Sequence, residues 1–405
     1  MTTRSSPRRI VWLLALVSLV GYALRTNITI AQEYMAPALG LSMAQMGFIS
    51  GWGFQLSYAL FQLPGGFMGD RYGARLILGL AIAGWAVASL ATGVVAGGAA
   101  LAIGLLFLAR VVLGAAQAAT YPVMGMAAAQ YVPAEERVGA SALYLAAGSL
   151  GMALAPLTLA PLMVAAGWRA VFVASAAVAA VTALLWFALA PRRAEPSGTH
   201  AYVPMGVQLR ASLALLRQRP LLVLSASYFL HSAVFFVFVF WFFRYLTEAR
   251  GFSVLASGAW GSVPFFMAFA IAPLVGRAAD GWARRAPRAA VRRRVAMACL
   301  LLAALFVLLG AALPTAALAI LALGVTVSAL MSAEAPYWTT ATALTAGAPG
   351  SAGGLLNLMG NLGGVVSIWL VPLMTQAWGW TAVLATWGAV AAVAALLWLA
   401  VAAED

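Results

Sequence analysis

The stretch Gly66-Phe-Met-Gly-Asp70-Arg71-Tyr-Gly73-Ala-Arg75 has a counterpart 210 residues later, Gly276-Arg-Ala-Ala-Asp280-Gly-Trp-Ala-Arg284-Arg285. Each copy follows a long apolar run, keeps Gly and Asp four residues apart, and then supplies Arg. One such stretch is an ordinary hydrophilic turn. Two copies, offset by about half of the 405-residue chain, mark an internal repeat. Gly lets helix ends approach closely, while Asp and Arg make charge-assisted bonds and meet helix termini. The pair therefore predicts two similar halves. It also predicts a conformational latch on the cytoplasmic side, made of Asp70, Arg71, Gly73, Arg75, Asp280, Arg284 and Arg285, formed in one state and broken in the other.

The rest of the chain is apolar enough to say where those halves sit. Hydrophobic residues make up 64% and charged residues 8%, against roughly 25% charged in a soluble protein. Such a chain cannot cover a water-facing surface, which excludes a soluble enzyme, a disordered protein and a secreted disulfide scaffold. Apolar runs fall near 10–31, 45–67, 76–96, 100–121, 139–162, 170–190, 221–246, 256–279, 295–313, 315–344, 352–375 and 380–402. Each is long enough to span a bilayer, and none alternates with the period of a barrel strand. The expected fold is all-α and integral to the membrane: twelve transmembrane helices in two pseudo-symmetric six-helix halves. These are 1–190 and 221–405, joined by a polar linker over 191–220 that contains Pro, Arg, Glu and His200.

Charge sets the orientation. All 23 basic residues are Arg. With the N-terminus inside, 18 of them fall in inside loops; the outside loops hold only Arg169, Arg244 and Arg250. The positive-inside rule then places both termini in the cytoplasm. Basic residues scattered between apolar runs form no face for nucleic acid. The first run continues past Arg25 to Ile30 without a clear cleavage site, so a retained helix is expected rather than a signal peptide.

Two arginines, Arg25 and Arg110, stand within spans. A mid-helix Arg costs about 2.5–3.5 kcal/mol on the insertion scale and normally faces a bundle interior or an aqueous cavity. Its planar fork binds carboxylate and keeps its proton. No Asp or Glu lies within a turn of either residue, so neither is neutralised locally. Together they read as an anion clamp. Enzymatic chemistry finds no support: the single Cys299 and two His residues make no metal cluster, no hydrolase motif occurs, and without Lys there is no P-loop. No cofactor is expected.

Several stretches carry a family likeness. Tyr22-Ala-Leu-Arg25-Thr-Asn27, Tyr58-x-x-x-Gln62-x-Pro64-Gly65-Gly66 and Arg110-Val-Val-Leu-Gly114-Ala-Ala-Gln117-Ala-Ala-Thr-Tyr121-Pro122 resemble the anion:cation symporter branch of the major facilitator superfamily. So do Gly167-Trp168-Arg169, Pro336-x-Trp338 and Asn357-x-x-Gly360-Asn361. The resemblance implies a secondary transporter of a small organic anion, such as a sugar acid or monocarboxylate, working by alternating access in a bacterial inner membrane as a monomer. It places Tyr22 and Tyr58 beside Arg25 and Arg110 at the substrate. Gln117, Tyr121, Trp338, Thr339, Asn357 and Asn361 add groups able to bond hydroxyls or pack on a sugar ring.

One departure matters. Members of that branch coupled to protons usually have Asp before the first-helix Arg and Glu in the fourth helix, where this chain has Leu24 and Gln117. Leu and Gln cannot cycle a proton. Coupling has then moved, with Glu33, His231 and Glu334 as the candidates, or the protein exchanges or exports organic acids. A transport-inactive ligand sensor and a drug exporter are further alternatives; a cation exporter calls for acidic cavity residues, and these mid-helix charges are positive.

Overall fold

The computed structural model describes residues 7–133, 136–191, 206–207, 210, 214–345 and 349–401. Most of the 191–220 linker, His200 included, lies outside the described residues. The first half begins with α1 (Pro7–Leu39) and α2 (Met43–Phe48), which runs through a π-helical turn at Ile49–Gln55 into α3 (Leu56–Tyr72). Then come α4 (Ala74–Gly93), α5 (Ala99–Ala118), α6 (Thr120–Tyr131) and α7 (Arg137–Leu189). After the linker follow α8 (Arg219–Arg244), α9 (Val254–Ala283), α10 (Arg288–Ala312), α11 (Ala316–Leu344) and α12 (Pro349–Leu397). The first helix reaches eight residues past the expected end near 31, so Glu33 lies inside it.

Nine helical segments among the described residues are long and apolar enough to cross a membrane. Two of them, α7 and α12, are each two spans meeting at a glycine with non-helical backbone, Gly167 and Gly379. The stretch from Met43 to Tyr72 is helical throughout and adds one more. Counted so, the described residues are consistent with twelve spans.

The internal repeat is visible in the backbone. Gly167 (φ 81°) and Gly379 (φ 75°) are 212 residues apart, and each is followed by Trp. Both lie in the left-handed region that a side chain resists, so the chain reverses there at little steric cost. Packing repeats too. In α7, Gly151 sits on the carbonyl of Leu19 in α1; in α12, Gly363 sits on the carbonyl of Phe229 in α8. Without lipid-excluding force between helices, close contact of this kind is what holds spans together. Polar bonds also tie α1 to α7 and α8 to α12. Asn27 Nδ2 donates to Ser175 Oγ at 3.2 Å, and Trp241 Nε1 donates to the Ile368 carbonyl at 3.1 Å. Trp241 and most of the aromatic run before it are buried, so this run packs the helix core more than it meets lipid.

The helices form two units, Met1–Tyr202 with Ser253–Ala259 and Val203–Phe252 with Trp260–Asp405.

Candidate functional site

In the first unit the site grows from one face of α1. Ser18, Tyr22, Arg25, Thr29 and Gln32 follow one another at intervals of three or four, the spacing of a single helical face. This polar stripe runs through a largely apolar helix, and Arg25 on it is 6% exposed. Three rings surround its guanidinium: Tyr58 at 4.3 Å, Tyr22 at 4.8 Å and Phe54 at 5.3 Å from the guanidinium carbon to the ring centroid. Such faces attract a cation without cancelling its charge. Phe54 comes from the π-helical turn, a distortion frequent at functional sites.

α5 brings Gln117 to the same place. Arg25 Nε donates to Gln117 Oε1 at 3.4 Å, and Gln117 Nε2 donates to the Gly21 carbonyl at 2.9 Å. Tyr121 follows one turn later; its hydroxyl lies 2.7 Å from Ser18 Oγ and its ring packs edge-on against Tyr22 at 6.0 Å. Tyr22, Arg25, Tyr58, Gln117 and Tyr121 thus form one cluster. Phe54 and Ser18 are members that sequence reading did not single out.

Arg110 stands elsewhere. It lies seven residues before Gln117 on α5, about 10 Å along the axis. Its Nη2 donates to Thr92 Oγ1 at 3.0 Å and its guanidinium faces the Phe172 ring at 5.6 Å. It is 1% exposed, and its Nε has no partner among the described residues. The two arginines share no partner among the described residues: Arg25 is held at Gln117 and Arg110 at Thr92. Neither has a carboxylate partner among the described residues.

In the second unit α8 and α11 build another polar cluster. His231 is fully buried on α8 and Glu334 half-buried on α11. Glu334 Oε2 accepts from the Tyr228 hydroxyl at 2.9 Å and from Trp338 Nε1 at 3.0 Å. Tyr337 closes the floor. Ser227 donates to the Ala394 carbonyl at 2.7 Å, which leaves its oxygen to accept from the Tyr337 hydroxyl at 2.6 Å. Tyr228 and Tyr337 were not found from sequence. Their only signal is the i, i+3 spacing that sets Tyr228 beside His231 and Tyr337 beside Glu334.

The remaining candidates scatter. Asn361 Nδ2 donates to the Asn357 carbonyl and side chain at 2.7 and 3.0 Å. Thr339 bonds carbonyls of its own helix and lines a cavity of about 410 Å³ shared with Asp280, Arg284, Arg288 and Arg292. Glu33 is half-buried and has a partner.

Of the latch residues, Arg75 is engaged within its own unit. It donates to the Ala190 carbonyl at 3.2 Å and to that of Phe187, while Trp186 Nε1 donates to the Arg75 carbonyl at 2.8 Å. It therefore caps the end of α7, whose last carbonyls lack helical donors. Gly73 (φ 85°) makes the turn between α3 and α4. Arg71 is exposed and lies over Tyr72 at 5.2 Å. The Asp70 side chain is outside the described residues. Asp280, Arg284 and Arg285 are exposed at the end of α9 and the turn after it.

Comparison with known proteins gives this geometry a family. The chain is 27% identical to the D-galactonate transporter of Escherichia coli O6:H1 over 93% of this chain and 91% of that one. It is 26% identical to the hexuronate transporter of Bacillus subtilis (strain 168) over 88% and 85% of the two chains. Among solved structures, a bacterial homolog of the human lysosomal transporter Spinster superposes with a TM-score of 0.81 at 18% identity, covering 98% of this chain and 97% of that one. A D-xylose-proton symporter superposes with a TM-score of 0.76 at 15% identity, over 96% of each chain. These two structures speak to the fold alone. Residues 11–291 match the Major Facilitator Superfamily. That match covers more than half of the chain and agrees with its helical architecture, so the protein belongs to the Major Facilitator Superfamily, a multi-pass membrane family whose similar members here are sugar-acid transporters rather than enzymes.

Proposed function

We propose that the protein transports a small organic anion, a sugar acid, across a bacterial cytoplasmic membrane by alternating access. It works as a monomer with both termini in the cytoplasm. The observation that carries this reading is Arg25: a buried guanidinium ringed by Tyr22, Phe54 and Tyr58, with an amide where an ionised side chain would cancel it. A buried charge is normally paired. Here an arriving carboxylate supplies the missing counter-charge and takes the fork that Gln117 now touches only at one nitrogen, while the phenols of Tyr22, Tyr58 and Tyr121 meet sugar hydroxyls. Arg110, buried without a carboxylate partner among the described residues, adds positive potential from the same unit. The similarity to D-galactonate and hexuronate transporters supports a polyhydroxylated carboxylate as the anion.

The test is uptake of radiolabelled D-galactonate and D-glucuronate into proteoliposomes of the purified protein. Saturable uptake, competed by other sugar acids and not by neutral sugars or organic cations, is expected. Uptake of an organic cation with no response to sugar acids would overturn the reading in favour of a drug exporter; ligand-induced thermal stabilisation without any flux would overturn it in favour of a sensor.

A further inference from the structure

The first unit binds an anion but holds no carboxylate at its centre to carry a proton. Position 24 is Leu and position 117 is Gln. The second unit has what the first lacks. His231 Nε2 lies 3.0 Å from the Leu330 carbonyl oxygen. A carbonyl only accepts, so Nε2 keeps its hydrogen whatever the charge on the ring. The second proton of this imidazole can go only to Nδ1. That atom is buried, has no hydrogen-bond partner among the described residues, and faces Glu334 Oε1 at 3.9 Å. The other carboxylate oxygen, Oε2, is already held by Tyr228 and Trp338. One lone pair and one carboxylate oxygen therefore face each other across a gap that a single proton would close.

We infer that His231 and Glu334 together form the proton-binding site that drives transport. The inference rests on the anion-transport reading for its use, though not for its chemistry. One proton joins the pair, whose charge rises from −1 to 0; no bond other than N–H or O–H forms or breaks. Carried inward with a monoanion, that proton makes the loaded cycle electroneutral. An imidazole is suited to the task because its ordinary range spans physiological pH.

No other charged group pairs with these two among the described residues. The charges that come near are Asp280 and Arg284 of α9 and its following turn and Arg288 and Arg292 of α10, which line a cavity with Ser332 and Ala335 on either side of Glu334. On α8 the neighbour is Tyr228, stacked on the imidazole at 5.4 Å; on α11 it is Tyr337, at 5.2 Å. Glu334 is the only charged residue of α11, and α12, which packs on α8, has none between Pro349 and Leu397. The position also answers to the first unit through the repeat. His231 is 210 residues beyond Gly21, and the His231–Leu330 contact ties α8 to α11 as the Gly21–Gln117 contact ties α1 to α5. Where the first unit has a neutral amide and a fixed cation, the second has a titratable pair.

Two measurements judge this. The chain has only two histidines, His200 and His231, so imidazole ¹⁵N resonances of the full-length protein in nanodiscs can be assigned with His200→Ala. Between pH 5 and 8.5, without substrate, either Nδ1 of His231 should change from lone-pair to N–H type while Nε2 stays protonated, or a carboxylic acid infrared band absent from Glu334→Gln should appear. No change in either signal overturns the inference. In proteoliposomes, an imposed pH gradient should accumulate D-galactonate about tenfold per pH unit, the ratio for one proton per anion. His231→Gln and Glu334→Gln should abolish that accumulation, and a variant that still concentrates D-galactonate in response to pH overturns the inference. If the wild-type protein moves no D-galactonate at all, the substrate reading fails, and the substrate-free titration alone decides for or against the pair.

Discussion

Arg25 Nε donates to Gln117 Oε1 at 3.4 Å, and the other end of the same amide is held by the Gly21 carbonyl. At that length the bond is weak. Gln117 orients the guanidinium and leaves its charge intact. Gln117→Glu would replace a neutral partner by an ionised one and make an internal ion pair that competes with substrate. We expect D-galactonate affinity to fall at least tenfold, since close charge pairs couple by about 1.5 kcal/mol or more. Titration calorimetry on the purified variant checks it; unchanged affinity would mean that the anion does not meet Arg25.

Removing the charge itself should do more. Truncating one partner of a buried charge pair costs about 2–5 kcal/mol, roughly 30-fold or more in affinity. Arg25→Ala should lose saturable sugar-acid uptake while still inserting into the membrane, as judged by size-exclusion chromatography. Arg25→Lys should recover only part of it, because an ammonium has no planar fork for a carboxylate.

Much of this was legible before any coordinates. The paired Asp70 and Asp280 stretches raise the expectation of two halves, and Arg25, a residue that a span does not tolerate idly, raises that of the proposed anion site. What sequence could not show is who partners whom. Arg75 reads as one more loop charge, yet its acceptors are the carbonyls of Ala190 and Phe187, backbone groups that no residue letter reveals. Tyr228 and Tyr337 hide among the aromatics of apolar helices, and only the packing of α8 on α11 turns them toward Glu334 and His231. Arg110 was paired with Arg25 on charge type, mid-span position and family likeness. Their spacing on different helices carries no register, so the separation of their partners emerges only in three dimensions.

Arg75 yields a stability prediction of its own. Its removal strips donors from two carbonyls at the end of α7, while the Trp186 bond to the backbone carbonyl of residue 75 stays. Arg75→Ala should destabilise the protein by about 1–3 kcal/mol, the cost of leaving such acceptors unsatisfied. Arg75→Lys should restore part of this. Thermal unfolding in detergent, with and without sugar acid, should show the same loss in both conditions. A loss confined to the ligand-bound form would return Arg75 to a conformational latch.

The glycine hinges allow a symmetric test. Gly167 and Gly379 hold equivalent left-handed positions between paired spans. Added Cβ atoms would meet nothing nearby at either site, so the penalty is backbone strain alone. Gly167→Ala and Gly379→Ala should each cost about 1–2 kcal/mol. Unfolding midpoints that fall by similar amounts are expected; a large loss at one site and none at the other would show that the repeat does not extend to the energetics of these turns.

Arg110 separates direct contact from electrostatic field. It is more deeply buried than Arg25, is held by Thr92 and Phe172, and has no described carboxylate to neutralise it. Thr92 in turn donates to the Ala88 carbonyl at 2.8 Å, so its oxygen is fixed as the acceptor that aims the guanidinium. If an anion binds Arg110 itself, Arg110→Ala should weaken sugar-acid binding roughly 30-fold or more. Arg110→Lys should stay well below wild type, and Thr92→Val should weaken binding by misaiming the fork. If Arg110 acts only through its field, Arg110→Lys keeps the charge and Thr92→Val leaves it in place, so both should bind close to wild type while Arg110→Ala alone falls. Calorimetric affinities of the three variants for D-galactonate decide between these patterns. Wild-type affinity in Arg110→Ala would remove this residue from the anion site altogether and leave Arg25 as its single cation.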